Sequence, residues 1–144
     1  FVSGTIRTTA VAVCRSGSRI LLERGYDRVT HEHFYRAIGG GVEFGERAAD
    51  AVIREWREEL GLHLESPEPV GVLENLFTYD GAPGHEIVFV FTARVRGMPR
   101  GDGFTATDPQ GRSHTLVWVD LDDAEHEGRT IHPAGLVDLL ETFR

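Results

Sequence analysis

The sequence is short of cysteine, of positive charge and of long apolar runs, and each shortage excludes a class of protein. Its 144 residues contain one cysteine, Cys14, so no disulfide can form within the chain, and a reducing, cytoplasmic location is expected. The 15 basic residues, all arginines, are outnumbered by 23 aspartates and glutamates, for a net charge of -8. That balance argues against nucleic acid or an anionic membrane surface as a partner. No apolar run approaches the roughly 20 residues that a membrane-spanning helix needs.

What remains is the composition of one soluble globular domain, residues 1–144, without repeats or low-complexity segments. Runs rich in apolar and β-branched residues predict strands, and segment 15–18 ("RSGS") predicts a turn that makes the second run the hairpin partner of the first. The predicted strands are Thr8–Cys14, Arg19–Arg24, Phe34–Ile38, Pro69–Tyr79, His85–Val95 and His114–Leu121.

Segments 26–33 and 96–113 read as loops, and two segments read as helices. The first helix runs from Arg47 to a terminal Gly61. The second, near the C-terminus, has Pro133 in its first turn. Its apolar stripe is formed by Leu136, Leu139, Leu140 and Phe143. Strands interrupted by two helices indicate an α/β or α+β sandwich around one sheet.

The first helix carries an unusual concentration of like charge. Spacings of three and four residues place Glu55, Glu58 and Glu59 on one face. That face adjoins a predicted core stripe of Ala49, Val52, Trp56 and Leu60. On charge count alone, the segment "REWREE" is typical of a solvated helix face. Three carboxylates next to a glycine loop are also what Mg²⁺ or Mn²⁺ binding requires.

The spacing of these residues resembles the Nudix box, G-x5-E-x7-R-E-U-x-E-E-x-G-U, in which U is a bulky aliphatic residue. The matching residues are Gly40, Glu46, Arg54, Glu55, Glu58, Glu59, Gly61 and Leu62. Trp56 departs from the pattern at the first U position, where its large apolar side chain serves the same packing role. Specified residues at fixed spacing across 40–62 make cation binding the better interpretation of the glutamates.

The resemblance implies a Nudix-type α/β/α sandwich with a central mixed β-sheet. It also implies a Mg²⁺- or Mn²⁺-dependent pyrophosphohydrolase that cleaves a nucleoside diphosphate linked to another moiety. Glu55, Arg54 and Glu58 would be catalytic, with Arg54 holding a glutamate in place. The metal would be bound by Glu55, Glu58, Glu59 and Gly40. The glycines 39–41 would let the loop pass close to the helix and the ligand, and homodimers are common among relatives.

Residues outside the box supply further candidates. Arg36 and Glu86, together with Gly39 and Gly40, are candidate substrate-binding residues, since Arg36 precedes the glycines and Glu86 heads a strand buried on both sides. Glu55 or a residue outside the box would activate the water. Some family members use a further acidic residue from a later loop as a metal ligand or base, and segment 96–113 offers Asp102 and Asp108. His114 and Thr115 stand where a glutamate is expected, so the general base is left open. The paired His31 and His33 are interpreted as solvated loop residues, Cys14 as a core residue, and Tyr79 as a weak resemblance to diadenosine polyphosphate hydrolases.

Other functions stay open at this point. A Nudix-type module that senses a nucleotide without cleaving it is the main alternative, although such a sensor has no need for the full set of metal ligands. An interaction protein with an acidic helix would not need the glycine-to-glutamate spacing. The related isopentenyl diphosphate isomerase chemistry uses a cysteine in the site, whereas Cys14 lies on an early core strand.

Overall fold

The computed structural model describes residues 4–124 and 128–142. Ten strands and three short to medium helices form a mixed α/β arrangement in these residues. The elements are β1 (Ile6–Val13), β2 (Arg15–Ser16), β3 (Arg19–Asp27), β4 (Glu32–Arg36), β5 (Ile38–Gly41), α1 (Ala48–Leu60), β6 (Leu64–Tyr79), β7 (Ala82–Val95), β8 (Gly103–Thr107), β9 (Ser113–Asp120), α2 (Leu121–Ala124), β10 (Ile131–His132) and α3 (Leu136–Thr142).

The strands form two mixed sheets. The first has the order β5-β1-β7-β6, and the second has the order β10-β4-β3-β9-β8 with β2 added to β3. Pairing is parallel between β1 and β7 and between β4 and β10, and antiparallel elsewhere. The predicted α/β class with mixed pairing is confirmed, while the single predicted sheet is divided into two.

Strand β1 contributes to two cores. Its Ala10 and Ala12 pack in the cluster that contains the α1 residues, and its Val11 and Val13 pack in the cluster that contains the α3 residues. Successive side chains of a strand point to opposite faces, so one strand can supply both layers. This explains why residues 8–14 form an unbroken apolar and β-branched run instead of alternating with polar residues.

The predicted hairpin between the first two long strands is wrong. β1 is hydrogen-bonded on one edge to β5 and on the other to β7, so neither edge is free for β3. β3 pairs with β4, with β9 and with the two-residue β2 instead. The chain therefore changes sheets at Cys14, whose carbonyl oxygen accepts a hydrogen bond from the Leu21 amide at 3.1 Å.

Both predicted loops contain regular structure. In segment 26–33, β3 continues to Asp27 and β4 starts at Glu32. Only a turn separates the two strands, and the Asp27 carboxylate accepts bonds there from the amides of Val29 and Thr30. In segment 96–113, β8 pairs with β9, and a Cβ at Gly103 would collide with the Leu116 carbonyl oxygen. Gly103, which this close approach requires, is a loop signal in sequence although Phe104, Thr105 and Thr107 favour a strand.

Two further predicted boundaries are wrong. The strand predicted at 34–38 is split at Ala37, where the chain passes from β4 in one sheet to β5 in the other. The C-terminal helix starts at Leu136, so Pro133 precedes its first turn. Leu136 and Leu140 are buried as predicted, and Leu139 packs against the same core. Phe143 lies outside the described residues.

Helix α1 is observed where it was predicted. Arg47 occupies the N-cap position, and Gly61 ends the helix in the left-handed conformation at φ 67°. Of the predicted core stripe, Val52, Trp56 and Leu60 are buried, and Ala49 is only partly buried. Its place is taken by Ala51, one residue before Val52, which shows that the apolar face is rotated slightly towards the glutamates.

None of the helices in the described part of the chain has both the length and the apolarity to cross a membrane.

Trp56, the departure from the box pattern, is fully buried, and its indole Nε1 donates a 3.0 Å hydrogen bond to the Ile38 carbonyl oxygen. The bond ties α1 to β5. We expect Trp56→Phe to lower the free energy of unfolding by about 2 kcal/mol, because it removes this bond and leaves a small void. Urea unfolding measures the change. Trp118→Phe is the matched control, since Trp118 is only partly buried; an equal loss in both variants would contradict a special role for Trp56.

Candidate functional site

The glycine loop expected at 39–41 is the end of strand β5, and the missing side chains of its glycines let it pass close to helix α1. A Cβ at Gly39 would collide with the Ala10 backbone, and a Cβ at Gly40 would collide with the Glu55 carboxyl group. Gly41 is less crowded and has the Arg7 guanidinium beside it. The close approach predicted for this loop is therefore observed, and it brings backbone into direct contact with a box glutamate.

Arg54 joins the loop to the helix. Its Nε and Nη2 donate to the two carboxylate oxygens of Glu46 at 2.8 and 3.0 Å. Its Nη1 donates to Glu55 at 2.9 Å and to Glu58 at 3.2 Å, and Nη2 also donates to the Gly41 carbonyl oxygen at 3.0 Å. The arginine side chain is 17% exposed. Three carboxylates and one backbone carbonyl thus take their positions from a single planar group.

The turn before α1 is fixed by the same contacts. The Glu46 amide donates to the Glu43 carbonyl oxygen at 3.0 Å, and the Glu43 amide donates to the Glu46 carboxylate at 3.1 Å. Gly45 has φ 83° at the third position of this turn, a conformation that favours glycine. The second position is Phe44, whose side chain is fully exposed.

Charge is distributed unevenly among these carboxyl groups. The hydrogen bonds from Arg54, the larger cause, and from the Glu43 amide together lower the pKa of Glu46 to about 2. Burial raises the pKa of Glu55, in opposition to the hydrogen bond from Arg54 and with added repulsion from Glu59 and Glu58. Glu46 is therefore ionised at neutral pH and holds Arg54. A cation placed nearby would favour ionisation of Glu55 more than that of Glu46, because Glu46 is already ionised.

Glu59 is held by a different partner. Its Oε2 lies 3.0 Å from His114 Nε2, and the same ring nitrogen lies 3.0 Å from Asp108 Oδ2. On the opposite side of the ring, Nδ1 lies 2.9 Å from Glu23 Oε2. Burial works to lower the pKa of His114, but its bonds to Asp108 and Glu23 outweigh burial and raise it. The three glutamates on the predicted face are thus divided between Arg54 and His114.

The β8–β9 turn presents Asp108 to this histidine. Asp108 Oδ1 accepts hydrogen bonds from the amides of Gln110 and Arg112, and its Oδ2 accepts one from Arg112 Nε at 2.8 Å. The bond from His114 is the main reason that the pKa of Asp108 falls to about 2. Glu59, Asp108 and His114 each offer a ligand atom within 4.8 Å of the others, a grouping that could hold a metal ion.

Sequence reasoning named Asp108 as a possible metal ligand or base, noted His114 only because a glutamate was expected there, and missed Glu23. The available signal was the charge of Glu23 directly after the apolar run 20–22, within a predicted strand. Arg7 was also missed, and it had no such signal because it lies at the polar start of β1.

An open cleft of about 420 Å³ adjoins the loop and the helix. Its lining consists of Arg7, Thr8, Gly41, Val42, Glu43 and Glu55. Arg7 Nη1 lies 3.4 Å from Glu86 Oε2. Glu86 was predicted at the head of its strand, but β7 starts earlier, at Ala82. The pairing with Arg7 therefore takes place inside the strand, next to the cleft.

The structure places the other predicted residues as follows. Arg36 lies in the second sheet and pairs with Glu23 at 3.2 Å, so it is joined to His114 and not to the glycine loop. Asp102 is exposed and pairs with Arg19. The Cys14 thiol is buried, and burial raises its pKa to about 12, which excludes it as a nucleophile near neutral pH.

The paired histidines lie in the β3–β4 hairpin. His31 contacts the Tyr26 hydroxyl, and His33 Nδ1 lies 3.3 Å from the Gly25 carbonyl oxygen. The Tyr79 ring packs edge-on against Phe34 at 5.5 Å. Within residues 4–124 and 128–142, neither histidine belongs to a group of side chains able to hold a metal ion.

Comparison with known proteins adds sequence and fold relationships. The family model described as NUDIX domain matches residues 4–141. An uncharacterized Nudix hydrolase of Bacillus subtilis, YvcI, is 32% identical over 96 residues. That match covers 62% of this chain, and the chain spans about half, 53%, of the length of that relative.

Solved structures resemble the chain over nearly its full length. The MutT NUDIX hydrolase from Burkholderia pseudomallei has a TM-score of 0.68 at 28% identity, with coverage of 94% of this chain and 97% of that one. The E. coli ORF135 protein has a TM-score of 0.60 at 23% identity, covering 96% and 89%. The Mutator MutT protein from Bacillus halodurans has a TM-score of 0.62 at 23% identity, covering 94% and 80%. The last two likenesses concern the fold alone.

Proposed function

The chain belongs to the NUDIX domain family, and from that membership we propose that it is a divalent-metal-dependent pyrophosphohydrolase. The substrate class is a nucleoside diphosphate linked to another moiety. The observation that carries the proposal is the bonding of Arg54, which holds Glu46, Glu55 and Glu58 together with the glycine loop. A solvated helix face has no need of such an arrangement.

The residues present fit a divalent cation. Gly40 leaves room for the Glu55 carboxyl group, which any larger residue would displace. Glu58 is half exposed and Glu59 is 27% exposed, so both can reach a ligand from the same helix. Carboxylate oxygens are the ligands that Mg²⁺ and Mn²⁺ prefer. We assign Glu55, Glu58, Glu59 and Gly40 to this role. Glu59 would bind the cation either after its contact with His114 breaks or while it keeps that contact.

In the proposed mechanism, the chain's own residues position the reactants. Bound Mg²⁺ or Mn²⁺ would neutralise the pyrophosphate charge and activate a water. Arg54 keeps Glu55 and Glu58 oriented, so they need no reorganisation when substrate binds. Arg7, at 40% side-chain exposure in the cleft, supplies a cation for a phosphate oxygen. Glu55 is the candidate acceptor of the water's proton.

The other candidate substrate-binding residues lie in two places, three of them near the cleft and one in the second sheet. Glu86 holds Arg7 beside the cleft, and Gly39 and Gly40 let backbone pass the ligand closely. Arg36 lies in the second sheet and is linked to His114 through Glu23. We therefore propose that Arg36 contacts the substrate only where that substrate extends between the two sheets.

A panel of nucleoside triphosphates, nucleotide sugars and dinucleoside polyphosphates, assayed with Mg²⁺ or Mn²⁺ and with excess chelator, tests the proposal. We expect turnover of at least one member, release of a nucleoside monophosphate or diphosphate product, and loss of turnover when the metal is chelated. Chromatography with phosphate detection measures the products. Binding of a panel member without turnover under either metal would favour a nucleotide-sensing module and overturn the proposal.

A further inference from the structure

Phe44 is an exposed aromatic residue in the turn that directly follows the cleft lining. Its side chain has a relative exposure of 108%, so the ring adds no burial to either core. It follows directly on Val42 and Glu43, two residues that line the cleft beside Glu55. Proline is the residue that turns of this kind favour at this position. The phenylalanine therefore has no evident role in folding.

The ring is presented on a rigid turn. The turn is closed by two bonds between Glu43 and Glu46, and Glu46 is held by the two-pronged contact of Arg54. A ligand that packs on Phe44 consequently meets a backbone that is already ordered. Ordering a mobile loop would reduce affinity, and that loss is largely avoided here.

The turn follows directly on the paired end of strand β5. Thr9 pairs with Gly41 in the antiparallel β1–β5 ladder, and the Val42 amide donates to the Thr8 carbonyl oxygen at 2.9 Å. The chain leaves this ladder after Val42, so the Phe44 ring comes directly after Gly41, Val42 and Glu43 of the cleft lining. The polar groups of Arg7, Thr8, Glu43 and Glu55 line the cleft itself.

We propose that Phe44 forms a stacking subsite for a planar aromatic group on the substrate moiety beyond the pyrophosphate. This inference rests on the proposed function, which places the phosphates at Arg7 and the box glutamates. The preferred substrates then carry an aromatic group on the far side of the phosphates, as dinucleoside polyphosphates do. The area of one aromatic ring matches that of one base and is far smaller than the area that a partner protein would bury. The surrounding glutamates and the net charge of -8 oppose an anionic membrane.

Two ligands that differ only in that group test the subsite: ADP-ribose and diadenosine diphosphate, which carries a second adenine on the corresponding ribose. Dissociation constants are measured by calorimetry on the full chain with Ca²⁺ in place of Mg²⁺. We expect the wild type to bind diadenosine diphosphate about tenfold more tightly, because base stacking on an aromatic ring has that magnitude. In Phe44→Ala the ratio of the two constants should fall to near one, and Phe44→Trp should restore it.

Two controls separate the subsite from the turn and from the catalytic proposal. Phe44→Pro keeps the turn but removes the ring, and should match Phe44→Ala. Val29→Ala removes an exposed apolar side chain in the β3–β4 turn and should keep the wild-type ratio. A wild-type ratio near one, an unchanged ratio in Phe44→Ala, or a change of oligomeric state in that variant overturns the inference. A normal ratio together with no turnover of any panel substrate overturns the proposed hydrolase and leaves the subsite standing.

Discussion

Replacing Glu58 with glutamine should reduce kcat/KM at least about a thousandfold, the largest effect expected of any single change in this chain. The substitution keeps the shape of the side chain but removes a charge that the proposed divalent cation requires. Stability should change little, because Glu58 is half exposed and makes one 3.2 Å bond to Arg54. The measurement is turnover of the best panel substrate over a range of Mg²⁺ concentrations, with thermal unfolding in parallel.

Asp50→Asn is the matched control. Asp50 lies on the same helix, is exposed, and is in the first turn, away from the box glutamates. The same loss of one negative charge there should change kcat/KM less than about twofold, because an exposed charge at that distance is screened by salt. Equal losses in the two variants would show that net charge, and not metal binding, sets the activity. Full activity in Glu58→Gln would contradict the metal role of this residue.

Arg54→Ala should damage both stability and activity. The side chain is largely buried and donates to three carboxylates and the Gly41 carbonyl oxygen, so its loss leaves Glu46 and Glu55 without their cation. Removing one member of a buried ionic network is strongly destabilising, and we expect the free energy of unfolding to fall by about 2 kcal/mol. We also expect kcat to fall about a hundredfold, because Glu55 and Glu58 lose their fixed orientation. Urea unfolding and initial rates measure the two effects.

Two companion variants make this prediction specific. Arg57→Ala removes an exposed arginine from the opposite side of the same helix and should cost less than about 0.5 kcal/mol. Arg54→Lys keeps the charge but loses the planar fork that grips Glu46, so it should recover part of the stability and little of the rate. If the lysine variant is as active as the wild type, charge alone suffices and the geometric role of Arg54 is wrong.

The helix and its glutamates could be predicted from sequence because their order is local. Residues three and four apart share a helix face wherever the helix packs, and a glycine at the C-terminus ends it. Local rules thus identified α1 and its glutamate face. The close approach of the glycines to the helix and the role of Arg54 were expected from the resemblance to the Nudix box, and the specific contact between Gly40 and Glu55 became visible only in the structure.

Long-range pairing was not accessible in the same way. The Glu59–His114 contact joins residues 55 positions apart, and it exists only because β9 pairs with β3, beside the helix. The false hairpin has a similar origin. A turn signal between two strands does not reveal that both edges of the first strand are taken by β5 and β7. Strand β8 was missed because glycine, needed for its close contact with β9, is a loop signal in sequence.

In the four-residue turn 43–46, hydrogen bonds fix the two end positions, and position 44 makes no contact within the described part of the chain that a substitution would break. Glu43 and Glu46 are tied to each other, and Arg54 anchors Glu46, whereas Phe44 between them contacts solvent alone. Substitution at position 44 can therefore alter what binds without disturbing the groups proposed to do the chemistry. Saturation mutagenesis of this single codon would give a small library with an intact scaffold in every member. The turn is thus a natural starting point for redirecting substrate choice by directed evolution.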